Sequence, residues 1–89
     1  MKQPYIEVTY RKGKAIAAYV YLERKPDDRA AAQESVSELL VVDRTEDGRA
    51  IGIEIIDPKL VSLEALNEAL ASLGQPLLAP TDIAPMKAA

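Results

Sequence analysis

Leu40 to Asp57 reads L-V-V-D-R-T-E-D-G-R-A-I-G-I-E-I-I-D, and the pairing of its two halves decides the fold. Two apolar runs flank Glu46-Asp47-Gly48-Arg49, and Asp-Gly between such runs is a strong hairpin signal. Glycine at the third loop position suits a type I turn closed by a left-handed residue. That loop pairs Thr45 with Arg49. Carried along both strands, the register places Leu39, Val41, Ile51, Ile53 and Ile55 on one face. It places Leu40, Val42, Gly52, Glu54 and Ile56 on the other.

Upstream lies a similar unit. Tyr5 to Tyr10 (Y-I-E-V-T-Y) and Ala15 to Leu22 (A-I-A-A-Y-V-Y-L) alternate and are rich in β-branched and aromatic residues, as strands are. Between them Arg11-Lys12-Gly13-Lys14 reads as a second three-residue loop, pairing Tyr10 with Lys14. Ile6, Val8, Ile16, Ala18, Val20 and Leu22 then share one face; Tyr5, Glu7, Tyr19 and Tyr21 share the other. Arg24 to Ala32 is a charged connection opened by Pro26, with room for a short helical turn over 27–33. The chain from Gln33 to Arg44 reads as one continuous strand leading into the downstream hairpin.

Downstream, Asp57-Pro58 ends the sheet, because proline cannot donate to a ladder. Ser62 is the expected N-cap of a helix whose Leu66, Leu70 and Leu73 form one stripe. Gly74 falls where a left-handed C-cap belongs, and Pro76 blocks continuation. Residues 75–89 hold Pro76, Pro80 and Pro85 and read as an extended tail, with Leu77, Leu78 and Ile83 able to dock. The expected fold is α+β: a four-stranded antiparallel β-meander followed by one C-terminal helix, in two layers. Residues 1–74 make a single domain and 75–89 a Pro-rich C-terminal tail.

The stretches Tyr10 to Leu22 and Leu40 to Asp57 resemble a small prokaryotic family, domain-of-unknown-function family 2283. The first resembles the family's Tyr-Asp, acidic loop and Ala-Leu-Tyr-Ile. The second resembles its Val-Asp-x-Asp-x-x-Gly-x-x-x-Gly-Ile-Glu-Ile, so the likeness spans roughly residues 5–57. The family's acidic first turn is Arg11-Lys12-Gly13-Lys14 here, and nothing resting on those carboxylates carries over. The resemblance implies a compact sheet domain with no established activity. It also implies an antitoxin or accessory role, since some such domains sit beside toxin-like partners.

Composition narrows the chemistry. The 89 residues include no Cys, His, Phe or Trp, which excludes disulfides, a thiolate nucleophile, a zinc finger and an imidazole base. Hydrophobic residues at 48% and charged residues at 28% are a globular balance. No apolar run approaches the ~18 residues of a membrane span. The start, Met-Lys-Gln-Pro, enters polar alternation with no signal-peptide core, so a cytoplasmic protein is expected. Residues 1–26 carry six basic groups against two acidic, and residues 27–89 five against twelve, for a total of −3.

Three constellations could carry function. Asp43, Thr45, Asp47 and Glu54 approach calcium-loop spacing, but that motif needs helical flanks. In the register above, Asp43 and Glu54 also face opposite sides, so no metal or other cofactor is expected. Glu54 interrupts an isoleucine-rich strand, and Gly52 beside it permits close approach of a ring or backbone. Tyr5, Tyr19 and Tyr21 cluster near the basic turn, an arrangement single-strand nucleic-acid binders use, although the acidic pI of about 4.9 counts against it.

One helix covers one sheet face, leaving Tyr5, Tyr19, Tyr21, Leu40, Val42, Glu54 and Ile56 as the expected partner interface. The expected function is non-enzymatic protein–protein association as a homo-oligomer. The alternatives are an antitoxin-like binder whose tail folds onto a small protein partner, and a weak single-stranded nucleic-acid binder using the first hairpin.

Overall fold

The computed structural model describes residues 3–87. Five strands, β1 (Tyr5–Arg11), β2 (Lys14–Tyr21), β3 (Ala32–Ser35), β4 (Leu40–Arg44) and β5 (Ala50–Ile55), are followed by helices α1 (Leu63–Ser72) and α2 (Pro80–Lys87). The strands form one antiparallel sheet in the order β1-β2-β5-β4-β3. The α+β class is as expected, but the meander is not. β5 lies beside β2, and the chain after β2 crosses to the far edge before returning. Composition accounts for the order: the isoleucine-rich β5 takes the centre, and the polar, fully exposed Ala32-Gln33-Glu34-Ser35 takes an edge.

The single strand expected over 33–44 is a hairpin. Val36 and Ser37 N–H groups donate to the Leu40 carbonyl, and Leu39 N–H donates to Ser37 Oγ. A serine hydroxyl thus organises the turn, where neither glycine nor proline announces one.

Two β-bulges reset the expected registers. In the β4–β5 hairpin the loop forms as read: Thr45 N–H donates to the Arg49 carbonyl, and Gly48 adopts φ 91°. Beyond it, Arg44 pairs with Ala50 but Asp43 pairs with Gly52, leaving Ile51 as an extra residue. One inserted residue exchanges the faces of everything that follows. Leu40 and Val42 therefore join Ile53 and Ile55 in the core, at 4% and 1% exposure. The displaced Ile51 carbonyl accepts from Leu22 N–H and Arg24 Nη2.

In the β1–β2 hairpin the loop is two residues, Lys12 and Gly13, both at positive φ as a type I′ turn requires. Tyr10 pairs with Ala15 rather than Lys14, while Thr9 pairs with Ala17. Ile16 is the extra residue, so it is exposed and Ala15 is buried in the place expected for it.

Both helices pack on the face carrying Val20, Val42, Ile53 and Ile55. For α1, Ser62 Oγ accepts from Ala65 N–H, and Leu66 and Leu70 are fully buried. Gly74 at φ 69° ends the helix, with Gln75 N–H bonded to the Leu70 carbonyl and Gly74 N–H to that of Ala71. Those two bonds are a Schellman cap.

The extended tail is overturned. Pro80 opens α2, where a missing N–H costs nothing. Leu78, Ile83 and Met86 are buried in the same core as Leu66 and Leu70. Asn67 pins the approach by bonding both the N–H and the carbonyl of Leu78, at 2.8 and 3.0 Å. Lys87 Nζ donates to the carbonyls of Pro58, Lys59 and Val61, tying α2 to the loop before α1.

Candidate functional site: the open face of the sheet

Among the described residues no helix packs on the second face of the sheet, and the register orders its side chains into two rows. One row runs Tyr5, Tyr21, Gly52, Asp43, Gln33; the next runs Glu7, Tyr19, Glu54, Val41, Ser35. Tyr5 and Tyr21 are direct cross-strand neighbours, and their rings stack at 4.9 Å with a 15° interplanar angle. Tyr19 meets Tyr21 edge-on at 4.8 Å and 65°. These are the two geometries that aromatic quadrupoles favour. The Arg24 guanidinium lies 5.6 Å from the Tyr21 ring centre, within cation–π range.

Tyr19 leans from its own row across Gly52 and donates a 2.7 Å hydrogen bond to Asp43 Oδ2. A Cβ at position 52 would lie 1.9 Å from the Tyr19 hydroxyl oxygen, so glycine is what lets the ring cross. The close approach expected at Gly52 is thus made by this tyrosine. Asp43, only 8% exposed, also accepts 3.0 Å from Gln33 Nε2. Burial of the ring and donation to the Asp43 carboxylate raise the Tyr19 pKa well above its usual 10.0, against a smaller opposing pull from Arg24. Tyr21 is raised too, by partial desolvation and then by Glu7, whose Oε1 it approaches at 3.3 Å.

Of the seven residues expected at an interface, Tyr5, Tyr19, Tyr21 and Glu54 share this face. Ile56, just past the end of β5, is 46% exposed. Leu40 and Val42 do not belong to it, because the Ile51 bulge turns them inward. The uncovered face is therefore aromatic and polar rather than aliphatic. The same slip puts Asp43 and Glu54 on one side of the sheet, contrary to the expected opposition. Asp43 is nonetheless occupied by Tyr19 and Gln33, and among the described residues no cluster of acidic side chains is arranged to hold a metal ion. Sequence reading placed Glu7 on the face of the tyrosines and missed Gln33, Asp43 and Arg24 as parts of this surface. Only the bulge position could have revealed Gln33 and Asp43 as one array with the tyrosines.

A cleft of about 680 Å³ opens nearby, between residues 23–25, the β4–β5 hairpin and the end of α1. Its cations are largely engaged. Arg44 bonds Glu34 and the Gly48 carbonyl, and Arg49 grips Asp28 bidentately while reaching Asp47. Arg49, followed by the Lys25 N–H, holds the Asp28 carboxyl down to about 2, and donation from Thr45, followed by that from Arg49, lowers that of Asp47.

No protein-family model matches this chain, and no curated protein or solved structure matches it either. The likeness to domain-of-unknown-function family 2283 thus rests on the quoted residues alone. No helix among the described residues is long and apolar enough to cross a membrane.

Proposed function

We propose that this chain is a non-enzymatic association domain. Its working surface is the open sheet face around Tyr5, Tyr21, Tyr19 and Arg24, and its partner is another protein chain, including a second copy of itself. The supporting observation is the stack itself. Tyrosine and arginine dominate interface hot spots, and here they are held in place before any partner arrives. Preorganised side chains lose little entropy on binding, so their contact area converts into affinity more fully than that of mobile ones. Tyr5 is 62% exposed and leaves a large area still to be covered.

The reading keeps the cytoplasmic setting, where a cysteine-free domain needs no oxidising compartment. An antitoxin-like role would use this same face, because Leu78, Ile83 and Met86 are held in the chain's own core. Glu7 and Glu54 in the rows of the tyrosines disfavour a phosphate backbone, which ranks nucleic acid behind protein.

Light scattering over a concentration series tests the proposal. The wild-type mass should rise with concentration, and Tyr5→Ala, an exposed change, should weaken that rise with an unaltered circular dichroism spectrum. A monomer at every concentration, or a Tyr5→Ala variant that associates as tightly as wild type, contradicts it.

A further inference from the structure

Building on the proposed self-association, we infer that the outer edge of β1 is where two copies join. The two β1 strands pair antiparallel about Val8, so that both sheets become one and their open faces become continuous. β1 forms a ladder on one side only, with β2, and among the described residues no backbone group bonds its outer edge. Seven residues long, it carries only Glu7 and Arg11 as edge charges. Helix α2 packs on its helix face, where the Tyr10 hydroxyl donates to the Pro85 carbonyl, without pairing its outer backbone edge. The strand contains no proline or lysine, and the hairpin's extra residue lies in β2 rather than in β1. The opposite edge, β3, is short and polar, with Glu34 engaged by Arg44 at 3.0 Å. Pairing β1 with β1 closes a two-fold dimer, whereas pairing β1 with β3 would propagate into a fibre.

The sequence of β1, Tyr5-Ile6-Glu7-Val8-Thr9-Tyr10-Arg11, complements itself about Val8. On the open face Tyr5 meets Arg11 of the second copy, which places a guanidinium against the exposed ring stacked on Tyr21. Glu7 meets Thr9 of the second copy, with that copy's Arg11 on the diagonal. On the helix face Val8 meets Val8, and Ile6 meets Tyr10. Both Ile6 and Val8 pack against the core yet stay half-exposed, while their β2 partners Val20 and Ala18 are buried at 0% and 4%. A strand alongside completes their cover. Centring the pairing on Glu7 would oppose two carboxylates, and centring it on Thr9 would shorten the overlap and lose the Tyr5 contact.

The absence of cysteine from the chain makes the test clean. Facing residues of an antiparallel pair have Cα atoms about 4.5–5.5 Å apart, within disulfide range. Val8→Cys should therefore form a disulfide-linked dimer on mild oxidation, read on a non-reducing gel. Tyr5→Cys and Arg11→Cys, each about 20 Å from its own copy at ~3.4 Å per residue, should not cross-link alone but should do so when mixed. Because both of those sites are exposed, the mixture keeps the test valid if Val8→Cys does not fold, provided that it is oxidised at a concentration where light scattering shows the two variants still associate. Glu38→Cys, at the β3–β4 turn, should stay unlinked. Cross-linking at Thr9→Cys instead of Val8→Cys overturns the register. A wild type that dimerises while neither Val8→Cys nor the mixture cross-links overturns the β1 edge and leaves the association proposal standing. A strict monomer overturns both.

Discussion

Gly52→Ala is the substitution whose cost follows most directly from the geometry. A methyl group there would overlap the Tyr19 ring, 1.9 Å from Oη and 2.2 Å from Cζ. Gly52 does not have a positive φ, so the backbone itself accepts alanine and the ring must leave. Its departure breaks the 2.7 Å bond to Asp43, worth about 1.5–3 kcal/mol for a charged acceptor. The edge-on contact with Tyr21 adds about 0.5–1.5 kcal/mol. Against this, alanine restricts the unfolded chain and returns about 0.4–1 kcal/mol. The expected net loss is about 2–3 kcal/mol, a fall in Tm of roughly 8–20 °C for a domain of this size. Thermal and urea unfolding followed by circular dichroism measure it. The decisive comparison is Gly52→Ala made in a Tyr19→Ala background, where no ring remains to clash. There it should be neutral or slightly stabilising. A penalty of the same size in both backgrounds would refute the steric explanation.

Three further outcomes follow from the hydrogen bonds and the titrating groups. Asn67→Ala strips the N–H and carbonyl of Leu78 of their partners and should cost about 2–3 kcal/mol in urea unfolding, with proteolysis appearing first between α1 and α2. Asp28, held down to about 2 by Arg49 and then by the Lys25 N–H, contributes stability above its ordinary 3.8. That contribution is lost as pH falls from 3.8 towards 2, so Asp28→Asn should flatten acid unfolding across this window. Tyr19 has its pKa raised, so the neutral phenol stabilises the fold below pH 10 and loses that effect as pH climbs beyond it. Its tyrosinate absorbance should appear together with unfolding, and ionisation in the intact fold would contradict its burial against Asp43.

Local chemistry was legible wherever one residue acts on its neighbours. Gly48 closes its three-residue loop, Ser62 caps α1, Gly74 ends it, and Leu66 and Leu70 fill the core as their spacing indicates. What escaped reading was the cumulative effect of single extra residues. Ile16 and Ile51 bulge out of register, and strand alternation carries no mark of where a bulge falls. One such residue moved Leu40 and Val42 from the expected interface into the core and brought Asp43 under Tyr19. The β3–β4 turn was hidden because a serine hydroxyl makes it. Helix α2 was hidden because proline density suggests extended chain, whereas Pro80 stands where a helix accepts it and Asn67 holds the segment down. The open face was therefore legible in its tyrosines and not in the polar network that orders them.

An NMR dilution series on wild-type protein tests the working surface most directly. Diluting a concentrated sample should shift the amide resonances of Tyr5, Glu7, Val8 and Thr9 on β1, and of Tyr19 and Tyr21 on the neighbouring strand, along a common binding curve, while those of Glu64 and Glu68 on α1 stay fixed. Spectra that do not change with concentration, or shifts confined to the helices, would contradict association through the open face.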